Sequence, residues 1–186
     1  MRVLLTSAGL ETEEIKACFM EMLGKEPLRI KALFIPTAAI NAGAIGVLPK
    51  CMNDLLKCGV FDENIRVYDL YAGMEIEELR NYDVVYLCGG DTQYLLERIN
   101  DTKFNKSLME YIHSNGFVMG VSAGSLIFAN NLRGNLGLID TRLEVHCAEG
   151  EKRGKLCTPL KKQVRLTNTS ALAVRGEPNE WEIIGE

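Results

Sequence analysis

The feature that most constrains the fold is a regular alternation of short apolar runs with stretches of helical periodicity. The apolar runs are rich in β-branched residues, which favours strands, and the stretches between them repeat apolar residues every three or four positions, which favours helices. Strands separated by helices need crossover connections, and these produce a mostly parallel sheet covered on both faces. The sequence therefore predicts an α/β three-layer sandwich. Predicted strands cover 2–7, 30–35, 65–68, 84–88 and 117–121, and predicted helices cover 11–23, 44–58, 76–81, 92–99, 105–114 and 123–129.

The C-terminal part of the chain has a different pattern. Four short apolar runs, at 143–146, 163–166, 171–174 and 181–184, are separated by turn residues rather than by helices. We expect them to add an antiparallel edge to the sheet. The chain contains no repeat, low-complexity tract or linker, so we expect one domain over 1–186.

Composition and charge exclude several classes of partner. The chain has 21 Lys and Arg against 25 Asp and Glu, and its basic residues form no stripe, so we expect no nucleic-acid partner. The uncharged stretch 32–49 is long enough to span a membrane, but Pro36, Asn41 and two glycines interrupt it. The apolar part of the N-terminus is too short for a signal peptide, and we therefore expect a cytoplasmic protein.

Six cysteines raise the question of disulfides or zinc. They form no C-x-x-C pair, and a reducing compartment disfavours disulfides, so structural thiols are expected. We expect neither a metal ion nor a cofactor.

Ser122 is the principal candidate for chemistry, because it lies in the sequence Gly-Val-Ser-Ala-Gly between a predicted strand and a predicted helix. Such a sharp turn lifts the hydroxyl out of the sheet, and side chains in place of Gly120 and Gly124 would collide with neighbouring backbone. In parallel sheets the ligand crevice lies beyond the carboxyl ends of the strands, where Ser122 is predicted. The N–H of Ala123 is then a natural oxyanion donor. The same pattern also fits a turn without chemistry or a phosphate cradle.

A reactive serine needs a base, and the chain offers two histidines. His113 is predicted at the end of a helix, at the opposite, amino-terminal end of the strand that leads to Ser122. His146 ends a predicted strand 24 residues after Ser122 and can return to the crevice, although a surface position at a strand end is the alternative. Gly89 and Gly90 form a second strand-to-helix junction on the same side, where the N–H of Gly90 would supply the other oxyanion donor.

These motifs resemble those of the peptidase E family of serine peptidases, which includes aspartyl dipeptidases and, more distantly, cyanophycinases. The resemblance rests on Leu-Cys-Gly-Gly-Asp-Thr at 87–92 and Gly-Val-Ser-Ala-Gly-Ser at 120–125, with further similarity at 136–138, 171–176 and 181–185. It implies a type I glutamine-amidotransferase-like fold, related to flavodoxin-like sandwiches. By the same resemblance Ser122 is expected as the nucleophile, His146 as the general base, and the N–H groups of Gly90 and Ala123 as the oxyanion hole.

The acidic member of a triad is less well defined. In the resembling family it lies between the serine and the histidine, a segment that is shortened here and contains Asp140 and Glu144. Asp140 fits that order and is our prediction, whereas Glu144 faces the same way as His146 on a strand, and an absent acid is the third alternative. Val145 also replaces the proline that the family carries before its histidine.

Three functions follow from these features. The first is a serine peptidase that hydrolyses short peptides through an acyl-enzyme on Ser122, with aspartyl dipeptides as one candidate substrate. Such specificity needs a cation for the substrate carboxylate, and Arg133 and Arg142 are nearby in sequence. The second is a non-catalytic binding protein for small molecules or peptides that keeps the fold with an incomplete triad. The third, a mononucleotide binder, is disfavoured because Thr-Ser-Ala-Gly at 6–9 is not a phosphate loop. Homodimerisation is left open.

Overall fold

The fold was determined as a computed structural model, which describes residues 1–157, 162–176 and 180–185. Helices and strands alternate along the first two thirds of the chain, as the sequence predicts. The α-helices are α1 (Glu13–Leu23), α2 (Ala42–Lys57), α3 (Ile76–Leu79), α4 (Thr92–Asp101), α5 (Phe104–His113) and α6 (Ala123–Leu126). The strands are β1 (Arg2–Thr6), β2 (Ala32–Ile35), β3 (Ile65–Val67), β4 (Val84–Leu87), β5 (Phe117–Val121), β6 (Arg142–Glu144), β7 (Gly154–Lys155), β8 (Gln163–Arg165), β9 (Ser170–Arg175) and β10 (Trp181–Gly185).

The central sheet has eight strands in the order β3-β2-β4-β5-β1-β9-β10-β7. The first five of these pair in parallel, and β9, β10 and β7 pair antiparallel. The predicted α/β three-layer architecture is therefore confirmed. β1 and β5 lie side by side in the middle, with Thr6 opposite Val121, so the segments that follow these two strands emerge next to each other.

Each face of the sheet is covered by its own hydrophobic core, as the apolar strands require. Along β1 the side chains alternate: Val3 and Leu5 pack with α3, α4 and α5, whereas Leu4 packs with α1 and α2. Both cores consist of side chains that are almost fully buried. The large cores on both faces give the central strands a rigid frame, and the site is built at the carboxyl edge of that frame.

The C-terminal prediction is only partly correct. β9 and β10 do form the antiparallel edge, where β7 adds a short strand that the sequence pattern did not indicate. β6 and β8, by contrast, pair in parallel as a separate two-stranded sheet. Three residues per strand carry too little alternation to reveal which sheet they join. The separate pair holds the segments after β6 and β8 close together.

Most predicted boundaries shift by a few residues, and two of these shifts are at the ends of α1 and α6. The helix after Ser122 ends at Leu126 rather than at residue 129, and α1 begins at Glu13 rather than at 11, since Thr12 caps it by accepting from the N–H of Ile15. None of the described helices combines the length and the apolar character that crossing a membrane requires.

Candidate active site

Ser122 occupies a strained turn between β5 and α6. Its φ of 49° and ψ of −109° lie in a region that side-chain-bearing residues rarely adopt. The turn is anchored to the end of β1, because the carbonyl of Thr6 accepts from the N–H of Ser122 at 3.0 Å and from the Ser125 hydroxyl at 2.8 Å. The sharp strand-to-helix turn that the sequence predicts at Ser122 is therefore present.

The two glycines that flank the elbow are required by close backbone packing. A Cβ at Gly120 would lie 2.4 Å from the carbonyl oxygen of Gly124, and a Cβ at Gly124 would lie 2.3 Å from that of Leu87. Real Cβ atoms do not approach backbone this closely, so neither position tolerates a side chain unless the strands move apart. The elbow therefore sits tightly against both β4 and its own strand.

A second glycine pair reaches the elbow from the end of β4. A Cβ at Gly89 would lie 3.2 Å from the Cβ of Ser122, and one at Gly90 would lie 2.0 Å from the carbonyl oxygen of Ala38. Gly90 also has a φ of 143°, which favours glycine. Asp91 then caps α4 by accepting from the N–H of Tyr94 at 2.8 Å, as its position before the helix predicts.

His146 reaches the elbow from the segment after β6. Its Nε2 lies 3.0 Å from the Oγ of Ser122, a hydrogen-bonding distance, and its backbone has a φ of 58°. His113, in contrast, is the last residue of α5 and is exposed. The structure thus brings together Ser122 and His146, the two residues that the sequence favoured.

The other ring nitrogen of His146 contacts a residue that the sequence analysis did not identify. The Oδ1 of Asn168, in the turn between β8 and β9, lies 2.8 Å from Nδ1. The hydroxyl of Ser7, directly after β1, lies 3.3 Å from Nδ1 and 3.1 Å from the same Oδ1. It also accepts from the backbone N–H of His146 at 2.6 Å. Ser7 and Asn168 therefore hold the imidazole in place.

Asp140, the predicted acid, is not among the described partners of His146. It is exposed and follows Ile139, which forms an isolated bridge with Ala129 and so holds this segment against the end of α6. Glu144, the alternative acid, forms an ion pair with Arg165 at 3.5 Å. The position beside Nδ1 belongs to Asn168, which follows the histidine in the chain, so the expected serine-acid-histidine order does not describe this site.

An open cleft of about 500 Å³ lies in front of the elbow. Ser122, His146, Ser7 and the Gly89–Gly90 pair line it. Residues of α2 line it as well and contribute mainly apolar groups: Ala44, Val47, Leu48 and Cys51. Gly90 is therefore in the cleft, whereas Ala123 is buried behind Ser122 as the first residue of α6.

The charged group at the cleft is Lys50 of α2. Its ammonium donates to the carbonyl of Ala8 at 2.9 Å and forms an ion pair with Glu11. Arg133 and Arg142, which the sequence analysis weighed as carboxylate ligands, are both exposed and do not line the cleft. Among the described residues that line the cleft, Lys50 is consequently the lysine or arginine available to a bound molecule.

Asp54, which is also in α2, forms hydrogen bonds inside the protein. Its Oδ2 accepts from the Tyr86 hydroxyl at 2.7 Å and from the N–H of Leu10 at 3.1 Å. Burial raises the pKa of the Asp54 carboxyl, although both hydrogen bonds oppose the shift. Burial also raises the pKa of the Tyr86 hydroxyl, which keeps it a donor. The pair joins α2 to the sheet.

Together, the fold and the site define a class: α/β proteins that present a serine and an adjacent imidazole on a glycine-flanked elbow, the arrangement used by serine hydrolases. Residues 3–143 match the model of peptidase family S51. The chain belongs to that family. The matched region contains Ser122 and both glycine motifs but ends before His146 and Asn168.

Individual relatives agree with this assignment. The chain is 28% identical over 99 residues to an uncharacterized peptidase of Listeria monocytogenes, and the matched region covers 53% of this chain and 48% of the relative. It is 25% identical over 99 residues to an uncharacterized peptidase of Pasteurella multocida, where the matched region again covers 53% of this chain and 48% of the relative. In each case the matched region spans about half the length of the curated relative.

Solved structures share the fold. A protein assigned as a peptidase E from Listeria monocytogenes superposes with a TM-score of 0.71 and 22% identity, over 100% of this chain and 98% of the other. A peptidase from an acI-B1 Actinobacterium superposes with a TM-score of 0.67 and 17% sequence identity. This match covers 100% of this chain and 87% of the other. At these identities the likeness concerns the fold.

Proposed function

We propose that this member of the S51 family is a serine peptidase that hydrolyses short peptides through an acyl-enzyme on Ser122. The observation that carries the proposal is the 3.0 Å contact between the Nε2 of His146 and the Oγ of Ser122, on a strained elbow that opens into the cleft. Asn168 completes the site: its Oδ1 lies 2.8 Å from the Nδ1 of His146, and we assign it as the acceptor of the Nδ1 proton. An amide fills the corresponding position in some cysteine proteases.

The reaction divides into two half-reactions. The Oγ of Ser122 attacks the carbonyl carbon of the scissile amide while the Nε2 of His146 takes the hydroxyl proton. The C–N bond then breaks, and Nε2–H gives that proton to the leaving amine. Water next attacks the ester, passing a proton to Nε2. The acyl C–O bond to Ser122 breaks, and the serine recovers its proton.

The developing oxyanion needs donors that are fixed before the reaction. We assign these to the N–H groups of Gly90 and Ala123. Gly90 lines the cleft beside Ser122, and the N–H of Ala123 opens a helix, where no intrahelical acceptor exists for it. Loss of one such donor typically costs about 10²–10³ in kcat.

Aspartyl dipeptides are one candidate substrate class, and Lys50 is the group that would recognise them. Because Lys50 already pairs with Glu11, an aspartyl carboxylate would compete with Glu11 for the ammonium. The relative kcat/KM for Asp-Leu and Ala-Leu, in wild type and Lys50→Met, tests this role. Lys57→Met, which removes a lysine of the same helix outside the cleft, is the matched control. An unchanged ratio in Lys50→Met would contradict the role.

A fluorophosphonate probe tests the nucleophile directly. We expect wild type and His113→Ala to be labelled and Ser122→Ala to remain unlabelled, with His146→Ala labelled much more slowly. Labelled peptide mapping should place the adduct on Ser122. A wild-type protein that folds but shows neither labelling nor peptide hydrolysis would favour the alternative, a binding protein with an inactive site.

The proposal retains the cytoplasmic location that the sequence predicts. Fractionation of cells that produce the protein natively tests it, and recovery from an extracytoplasmic fraction would contradict it.

A further inference from the structure

We propose that Ser7 is a positioning residue that fixes the orientation of the Asn168 amide and, through it, the tautomer of His146. This inference rests on the proposed function for its catalytic meaning, but the hydrogen-bond arrangement can be tested in the resting protein. The starting point is chemical: an amide, unlike a carboxylate, can present either an acceptor or a donor to the imidazole. A neighbouring group must therefore fix whether the oxygen or the nitrogen of the Asn168 amide faces the Nδ1 of His146.

Ser7 is well placed to make that selection. It is fully buried, directly after β1 at the centre of the sheet, and adjacent to Thr6, which holds the elbow. Its hydroxyl accepts from the backbone N–H of His146 at 2.6 Å, which leaves it a single proton to donate. That proton can go to Asn168 Oδ1 at 3.1 Å or to His146 Nδ1 at 3.3 Å.

Only one of these two acceptors for the Ser7 proton gives every donor and acceptor in the group a partner. If Ser7 donated to Nδ1, that nitrogen would be an acceptor facing another acceptor, Oδ1 of Asn168, at 2.8 Å. If Ser7 donates to Oδ1, the same oxygen also accepts from Nδ1–H. The proton of the neutral imidazole is then on Nδ1, and the Nε2 lone pair faces the hydroxyl of Ser122. This is the tautomer that a general base requires.

The reversed amide would have the opposite effect. Its nitrogen would donate to Nδ1 and to the Ser7 oxygen, which would place the imidazole proton on Nε2 and leave Ser122 without a base. It would also leave the Ser7 proton without an acceptor among these groups. In a serine protease triad the wrong tautomer, produced by an amide in place of the acid, lowers turnover about 10⁴-fold. A buried hydroxyl that discriminates between the two amide orientations thus prevents a large loss.

A double-mutant cycle separates this role from a structural one. The two changes are Ser7→Ala and Asn168→Asp, made singly and together. A carboxylate has two acceptor oxygens and no donor, so it needs no orienting partner. We expect Ser7→Ala to lower kcat/KM about 100-fold in the wild-type background, since part of the tautomer effect is lost. In the Asn168→Asp background, the loss should be about fivefold or less because only the bond to the backbone of His146 disappears.

Nitrogen-15 NMR of the imidazole supplies a readout that does not depend on activity. The chain has two histidines, so His113→Ala assigns the ring signals of His146. In wild type at a pH where the ring is neutral, we expect the proton on Nδ1, and in Ser7→Ala a substantial population with the proton on Nε2. Ser125→Ala is the control: it removes another buried hydroxyl, which donates to Thr6, and should lower stability without altering the tautomer.

The outcomes are distinguishable. An equal loss for Ser7→Ala in both backgrounds, or an unchanged tautomer in Ser7→Ala, would overturn the inference. If wild type shows the predicted tautomer and its dependence on Ser7 but no fluorophosphonate labelling, the proposed function fails and the positioning role stands. Should Ser7→Ala not fold, Ser7→Cys replaces it, because a thiol keeps the volume but is a weak donor. The same tautomer shift is then expected, and its absence would overturn the inference.

Discussion

The two halves of the site are built in opposite ways. The half that holds Ser122, the proposed nucleophile, is local and is called the nucleophile half: β5, Ser122 and α6 are contiguous, and two glycines fix the bend through backbone contacts. The half that holds His146, the proposed base, is called the base half. It is assembled from three distant segments, with His146 after β6, Asn168 between β8 and β9, and Ser7 after β1. Side-chain hydrogen bonds hold it together.

This difference explains how each half responds to change. A backbone contact shorter than van der Waals distance tolerates nothing larger than hydrogen, so an error in the nucleophile half disrupts the packing of the sheet. A single hydrogen bond contributes about 1 kcal/mol to stability, so the loss of His146 or Asn168, which are both exposed, leaves the fold intact and removes chemistry. We therefore expect stability to depend on the first half and turnover to depend on both.

The largest effect is expected for Gly124→Ala. The new Cβ would lie 2.3 Å from the carbonyl of Leu87, so β4 and the elbow must separate, at a cost of about 4 kcal/mol or more. Urea unfolding measures the loss, and turnover should disappear with it. Gly46→Ala is the matched control, since a Cβ there meets nothing within 4 Å and α2 should gain about 0.5–1 kcal/mol. Equal effects of the two variants would refute the packing argument.

A smaller effect, confined to turnover, is expected for Asn168→Ala. Without its acceptor the imidazole is no longer held in one tautomer, and we expect kcat to fall about 10²-fold while the free energy of unfolding changes by about 1 kcal/mol or less. Asp140→Asn is the control, because Asp140 is exposed and is not a described partner of His146. If Asp140→Asn impairs kcat and Asn168→Ala does not, the assignment made from the geometry is wrong.

Ser122→Gly should stabilise the fold while abolishing labelling. Glycine adopts the positive φ of this position without the strain that serine bears, and relief of such strain is worth about 1 kcal/mol. Ser122→Ala, which keeps a Cβ in the same conformation, should show no comparable gain in the urea midpoint. A loss of stability in Ser122→Gly would show that the elbow is unstrained, which would weaken the contrast between the two halves.

The smallest effect concerns Asp54, which joins α2 to β4 through the Tyr86 hydroxyl. Because burial raises the pKa of its carboxyl above that of the unfolded chain, the folded state binds the proton more tightly, and the associated stabilisation is present at low pH. It is lost as pH rises from the ordinary pKa of Asp through the raised value. Relative to Asp54→Asn, wild type should therefore become less stable as pH rises above the ordinary pKa of Asp. A free energy of unfolding that instead rises with pH, relative to Asp54→Asn, would contradict this direction.

The contrast between the halves also explains what the sequence could predict. The parallel strands and the elbow depend on patterns within ten or so residues, and the glycines at 120 and 124 have a steric reason that sequence alone conveys. His146 could be selected because only two histidines are present. These residues could be predicted without knowing which distant loops lie next to each other in the fold.

Asn168 and Ser7 could not be found in the same way. Asn168 lies in Thr-Asn-Thr-Ser, a composition typical of a turn, and an amide does not stand out when an acid is sought. The sequence predicts Ser7 as the last residue of the first strand, in a segment that does not fit a phosphate loop, and neither prediction gives it a role at the site. Their roles depend on the parallel pairing of β6 with β8, which brings the segment of His146 close to that of Asn168. The sequences of such short strands do not predict this pairing. The one signal available was that amides as well as acids can occupy this position.

The loop that carries His146 has a consequence for how heat inactivates the protein. It joins a two-stranded sheet of three residue pairs, whereas the strand before Ser122 is paired on both sides within the eight-stranded sheet. Segments with so few bonds open at lower free energy than the core does. Warming should consequently abolish the proposed activity reversibly, by releasing the imidazole of His146, several degrees before the rest of the protein unfolds.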